Sequence, residues 1–120
     1  MKKLLAGLVG AGLAASIAGA TPAMAAPQAL QVTAVFVSAT CQGGDFANVK
    51  LTAQVSGATG SVAYKWDWTN NGSFDTGALS DPAVQHRYGD ELTVTARVGA
   101  RDSSGATAMD TIQFSTPRCG

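Results

Sequence analysis

Leu92-Thr93-Val94-Thr95-Ala96-Arg97-Val98 is the stretch whose reading decides the fold. Apolar side chains fall at 92, 94, 96 and 98, and polar ones at 93, 95 and 97. That period of two predicts a β-strand buried on one face and wetted on the other; a helix would need spacings of three and four. Toward the C-terminus, Arg101-Asp102-Ser103-Ser104-Gly105 reads as a hairpin turn. A strand then runs from Thr107 to Ser115, with Ala108, Ile112 and Phe114 on one face, and Pro117 ends it.

Toward the N-terminus the same grammar repeats. Val84–Tyr88 is a strand, Gly77 to Pro82 a turn, and Phe74–Thr76 a short edge strand after the loop Thr69–Ser73. Val62–Trp68 alternates, with Val62, Tyr64 and Trp66 facing one way and Ala63, Lys65 and Asp67 the other. Asn48–Val55 places Val49, Leu51, Ala53 and Val55 on one face, and Leu30–Ala39 opens the domain. About seven short strands, with turns every ~8–12 residues and no helical period after residue 26, predict an all-β antiparallel sandwich.

The first residues have a different character. Lys2 and Lys3 precede an uncharged run of small and apolar residues, then Thr21-Pro22 and Ala23-Met24-Ala25. A positive start, an apolar stretch and an A-x-A end form a secretory signal peptide over residues 1–25, cleaved before Ala26. The run is rich in Ala and Gly, and no charged flank follows it, so it reads as a leader and not as a retained span of ~20 apolar residues. Position 26 is Ala rather than a lipid-accepting Cys, which leaves no membrane anchor after cleavage. Residues 26–120 then form one domain, secreted or periplasmic, of bacterial type.

Removing Lys2 and Lys3 leaves six Lys and Arg against eight Asp and Glu, a net charge of −2 with the signs interspersed. A nucleic-acid partner needs a clustered basic footprint, and that class is set aside. The two cysteines, Cys41 and Cys119, are an even number in a chain bound for an oxidising compartment. The expected disulfide ties the end of the domain to its beginning; two free thiols, or pairing with a second chain, are the alternatives.

Tyr64-Lys65-Trp66-Asp67, Asn71-Gly72-Ser73-Phe74-Asp75, Pro82, His86-Arg87-Tyr88 and the strand Leu92–Val98 together resemble a PKD domain, the polycystic kidney disease repeat. The Y-x-W-D element and the H-x-Y element carry the resemblance, which extends from about Val49 to Phe114. The family's W-D-F-G-D-G turn is here the longer Trp66-Asp67-Trp68-Thr69-Asn70-Asn71-Gly72, and cysteines flank the domain. The resemblance implies an immunoglobulin-like sandwich that serves secreted proteins as spacer, stabiliser or substrate-contacting module, usually beside a catalytic domain.

Trp66 is expected as the aromatic plug between the sheets, and Tyr88 as a corner tyrosine with its hydroxyl on backbone. His86 is the only histidine; with no nucleophile motif beside it, a packing role outweighs general-base catalysis. Asp67, Asn71 and Gly72 fit the first, fifth and sixth positions of a calcium loop. Thr69 and Ala78 occupy positions that need oxygen-rich side chains. Asp67, Asn71 and Asp75 are therefore weak calcium candidates, and Asn71-Gly72 is also a turn pair that needs no ion. The sequon Asn71-Gly72-Ser73 is a chance match in a bacterial-type chain. Trp68 and Phe74 flank the loop, either as a contact surface or as caps on the core.

The expectation is a non-catalytic extracytoplasmic module, not an enzyme and without cofactor, that contacts a protein or polysaccharide or serves envelope structure. A small secreted inhibitor of a hydrolase is the alternative.

Overall fold

Among the described residues, alternating side chains in short segments yield six strands: β1 Gln31–Cys41, β2 Phe46–Ser56, β3 Val62–Asp67, β4 Val84–Gly89, β5 Thr93–Asp102 and β6 Thr107–Ser115. The computed structural model describes residues 29–120. The expected signal peptide and its cleavage point lie outside them. No helix occurs among the described residues, so none there is long and apolar enough to cross a membrane. Two antiparallel sheets form, ordered β1-β2-β4 and β3-β5-β6.

The inward faces follow the sequence periods. Val49, Leu51 and Ala53 of β2 share one core with Val94, Ala96, Val98 and Ala100 of β5, all of them buried. Trp66 lies in that core with no exposed surface. An aromatic side chain buries ~150–250 Å², which at ~25 cal/mol per Å² is worth roughly 4–6 kcal/mol before ordering costs. That makes Trp66 the largest single contributor to the core.

Two expectations need correction. Phe74–Thr76 is not a strand, so the described residues form six strands rather than about seven. The amides of Asp75 and Thr76 both donate to Trp66 O, Thr76 Oγ1 accepts from Trp66 N, and Leu79 exchanges two backbone bonds with Tyr64. Residues 74–79 thus lie irregularly along the free edge of β3, with a side chain replacing one rung of a ladder. Leu92, expected to face inward, is 45% exposed. The chain turns through Glu91 at φ +52°, and Leu92 precedes the regular part of β5, where its N–H donates to Thr116 Oγ1.

Cys41, the last residue of β1, is bonded to Cys119, with Cα atoms 5.4 Å apart across 78 residues of sequence. Cys119 N also donates to Asp90 Oδ2 at 3.0 Å. The bond ties the C-terminal segment back to the first strand and is compatible with an oxidising, extracytoplasmic compartment. Where β1 approaches β6, Ala34 N donates to Asp110 Oδ2 at 2.8 Å, so a carboxylate occupies an edge that would otherwise be open to strand addition.

Candidate functional site

Strand β3 aims Tyr64 and Trp66 into the core, so Asp67 must point to the outer face of its sheet. It is nonetheless completely buried. The loop that follows folds over it. Thr69 N and Asn71 N donate to Oδ1 at 3.4 and 3.1 Å, and Gly72 N donates to Oδ2 at 3.0 Å. Across the sheet, Arg97, its register partner on β5, places Nη2 3.3 Å from Oδ2. Two residues of the loop take left-handed conformations, Asn70 at φ +55° and Gly72 at φ +97°, and this tight path lets three amides converge on one carboxylate. Burial pushes the Asp67 carboxyl up. The amides of Asn71, Gly72 and Thr69 and the Arg97 charge outweigh it, so the net shift is below the ordinary value.

The same loop uses its other polar side chains internally. Asp75 Oδ2 accepts from Trp68 N at 2.8 Å, and Asn71 Oδ1 accepts from Ser73 N at 3.0 Å. The three calcium candidates therefore serve as acceptors for backbone amides. Among the described residues no three His, Cys, Asp or Glu side chains gather as metal ligands would.

Trp68 and Phe74 do not form one surface. Trp68 stacks on Trp66, centroids 6.2 Å apart, and on His86 of β4 at 4.4 Å, which seats it over the mouth between the sheets. Phe74 lies on the opposite side of β3 and β5, on the outer face. The Arg97 guanidinium sits 4.5 Å from its ring centroid, and a Cβ at Gly99 would fall 2.7 Å from its Cζ. The parity of the strand explains the separation: Trp68 continues the inward row of Tyr64 and Trp66, whereas the loop carries Phe74 over the outward row. The expected contact surface made of both rings is thus divided between two faces.

Trp68 instead begins a run of rings. His86 meets Tyr88 edge-on at 4.7 Å, Tyr88 meets Phe114 at 5.4 Å, and Phe114 stacks on Phe36 at 5.5 Å. Tyr88 is buried and its hydroxyl donates to Trp68 O at 2.7 Å, tying β4 to the end of β3. Burial, reinforced by the nearby Asp75 and Asp67 charges, raises the phenol well above its ordinary value, so it stays a donor. Burial lowers the His86 pKa, opposed by the Asp75 charge, which favours the neutral ring in its stack.

Sequence reasoning passed over a second buried carboxylate and an outer-face trough. Asp102, at the end of β5, accepts from Ser104 N, Ser104 Oγ and Ala106 N through Oδ1, and from Thr59 N through Oδ2. The Ser104 hydroxyl and the Thr59 amide hold its pKa low against burial, with the Ala106 and Ser104 amides adding to the effect. The trough, about 330 Å³, lies over Gly99 between Phe74, Lys65, Arg101 and Met109. Its signal was present in the alternation: Ala63 and Gly99 occupy outward positions where long polar side chains are usual.

The chain matches no protein-family model, and no curated protein matches it in sequence.

Proposed function

We propose that the chain is the precursor of an exported PKD-like domain of immunoglobulin type, acting as a non-catalytic contact or structural module outside the cytoplasm. The observation that carries this reading is the use made of its reactive-looking groups. Asp67 and Asp102 spend their oxygens on loop amides, and His86 is stacked between Trp68 and Tyr88. Groups held this way rigidify loops and present no nucleophile and base to a common point. The Cys41–Cys119 clasp suits a small domain that must persist outside the cell. The Tyr64-Lys65-Trp66-Asp67 and His86-Arg87-Tyr88 elements support the family assignment, since Trp66 fills the core and Tyr88 binds backbone.

The test is affinity capture from envelope extracts with the exported protein, its N-terminus first verified as Ala26 by intact mass. Specific recovery of a structural protein or polysaccharide supports a contact module. Recovery of a hydrolase whose activity falls on binding supports an inhibitor instead. Turnover of an extract component by the domain itself refutes the non-catalytic reading.

A further inference from the structure

On the outer face of β3-β5-β6 the register sets Ala63, Arg101 and Thr107 in one row across the sheet, and Lys65, Gly99 and Met109 in the next. Gly99 at the centre of the second row and Ala63 at the β3 end of the first leave the sheet backbone as a floor between them. Phe74, laid on Gly99 and held under Arg97, makes one wall, and the half-exposed Met109 side chain makes another. The resulting trough of about 330 Å³ is at the lower end of the range for small-ligand sites, ~300–1,000 Å³.

Its charge is one-sided. Arg97 is paired with Asp67, Arg118 with Glu91, and Arg87 lies 3.9 Å from the centroid of the Phe46 ring. Lys65 and Arg101, on the trough, have no carboxylate within salt-bridge distance among the described residues. A neighbouring hollow shares Ala63, Ala78 and Arg101 and includes Asp102, whose oxygens are already taken by Thr59, Ser104 and Ala106. An apolar bed with two unneutralised cations at its edge is complementary to an apolar body bearing one negative charge.

We propose that this trough binds a medium-chain acyl carboxylate, with the chain over Gly99 between Phe74 and Met109 and the carboxylate on Arg101 and Lys65. The proposal rests on reading the domain as a binding module, and names a ligand class for it. At the roughly 30 Å³ that a water molecule occupies in the liquid, the trough of about 330 Å³ has room for about eleven water-sized groups, close to the size of decanoate.

The test uses the exported, disulfide-bonded protein and sodium decanoate below its micelle-forming concentration, by calorimetry and amide chemical shifts. Saturable binding is expected, with shifts centred on Gly99, Arg101 and Met109 and none of that binding with decyltrimethylammonium, which has the same chain and the opposite charge. The Lys65→Gln/Arg101→Gln variant changes two exposed side chains and should melt as wild type while losing at least roughly tenfold in affinity. Ala78→Leu, which narrows the trough without touching the charges, should weaken binding as well. No saturable decanoate binding, equal binding of the cationic amphiphile, or full affinity in the double variant overturns the proposal. Envelope capture by wild type is read separately: it upholds the broader reading even where decanoate fails to bind, and its absence counts against that reading alone.

Discussion

Replacing Asp67 by Asn changes almost no volume and isolates one physical quantity, the negative charge under the loop. The substituted amide would retain a carbonyl oxygen for the N–H groups of Thr69 and Asn71, but would present an NH₂ group to Gly72 N and to Arg97 Nη2, both of them donors. Hydrogen bonds to a charged group contribute ~1.5–3 kcal/mol, and breaking a buried ion pair costs ~3–5 kcal/mol. Asp67 has no exposed surface, yet a single loop separates it from water and Arg97 is 19% exposed, so solvent screens part of the charge. The lower part of the range applies, about 2–3 kcal/mol. For a domain of this size that is a fall of roughly 10–20 °C in Tm.

The assay is urea and thermal unfolding followed by Trp fluorescence, at neutral pH and then down an acid series. Asp67 has a depressed folded pKa, so its contribution is fully present above the unfolded value of 3.8 and is lost as pH falls through the folded value. The gap between wild type and Asp67→Asn should therefore be constant from pH 7 to about 5 and close below 3.8. Asp75→Asn is the control: its exposed carboxylate accepts one amide, which the Asn carbonyl also accepts, and its cost should stay below ~1 kcal/mol. A Tm for Asp67→Asn within a few degrees of wild type, or a gap that persists unchanged into strong acid, refutes the reasoning.

Trp66→Ala should cost about 3–5 kcal/mol by the same unfolding assay, the range for a buried aromatic; a shift of a degree or two would remove Trp66 from the centre of the core. Reducing Cys41–Cys119, which closes 78 residues, should cost up to ~4–5 kcal/mol, measured by melting with and without reductant and checked by non-reducing peptide mapping. His86 has a lowered folded pKa, so wild type should lose stability as pH falls below 6.5 toward that value, where the unfolded chain binds the proton more readily. His86→Phe keeps a ring against Trp68 and should flatten this part of the pH profile; an unchanged slope would assign the effect to another group.

The fold class was legible because the inward rows of β2 and β5 obey a strict period of two, and a buried sheet face demands one. What alternation does not encode is how loops are held. Residues 74–79 read as a strand followed by a turn, yet Thr76 Oγ1 on Trp66 N and the paired bonds between Tyr64 and Leu79 make them an irregular edge cover. Such arrangements depend on side chain to backbone bonds between residues brought close only by the fold. The exposure of Leu92 was hidden for a similar reason, since the pattern 92-94-96-98 continues one residue past the point where Glu91 redirects the chain.

Acidic residues were the least legible, because an ion ligand and a loop staple have the same composition. Asp67 with Asn71 and Gly72 resembles part of a calcium loop: both solutions wrap a chain around oxygen atoms with a left-handed residue at the tightest point. They differ in which way the backbone groups face. A cation site turns carbonyls inward, whereas here the amides of Thr69, Asn71 and Gly72 turn inward and meet an acid. Asp102 repeats the solution with Thr59, Ser104 and Ala106 at the end of the very strand that pairs with β3. Both loops thus end on carboxylates that are anionic in the fold, and both lose their staples under acid. Of the cations outside these pairings, Lys65 and Arg101 lie together on the outer face of β3-β5-β6, so the internal use of acids by the loops leaves that face open to an anion.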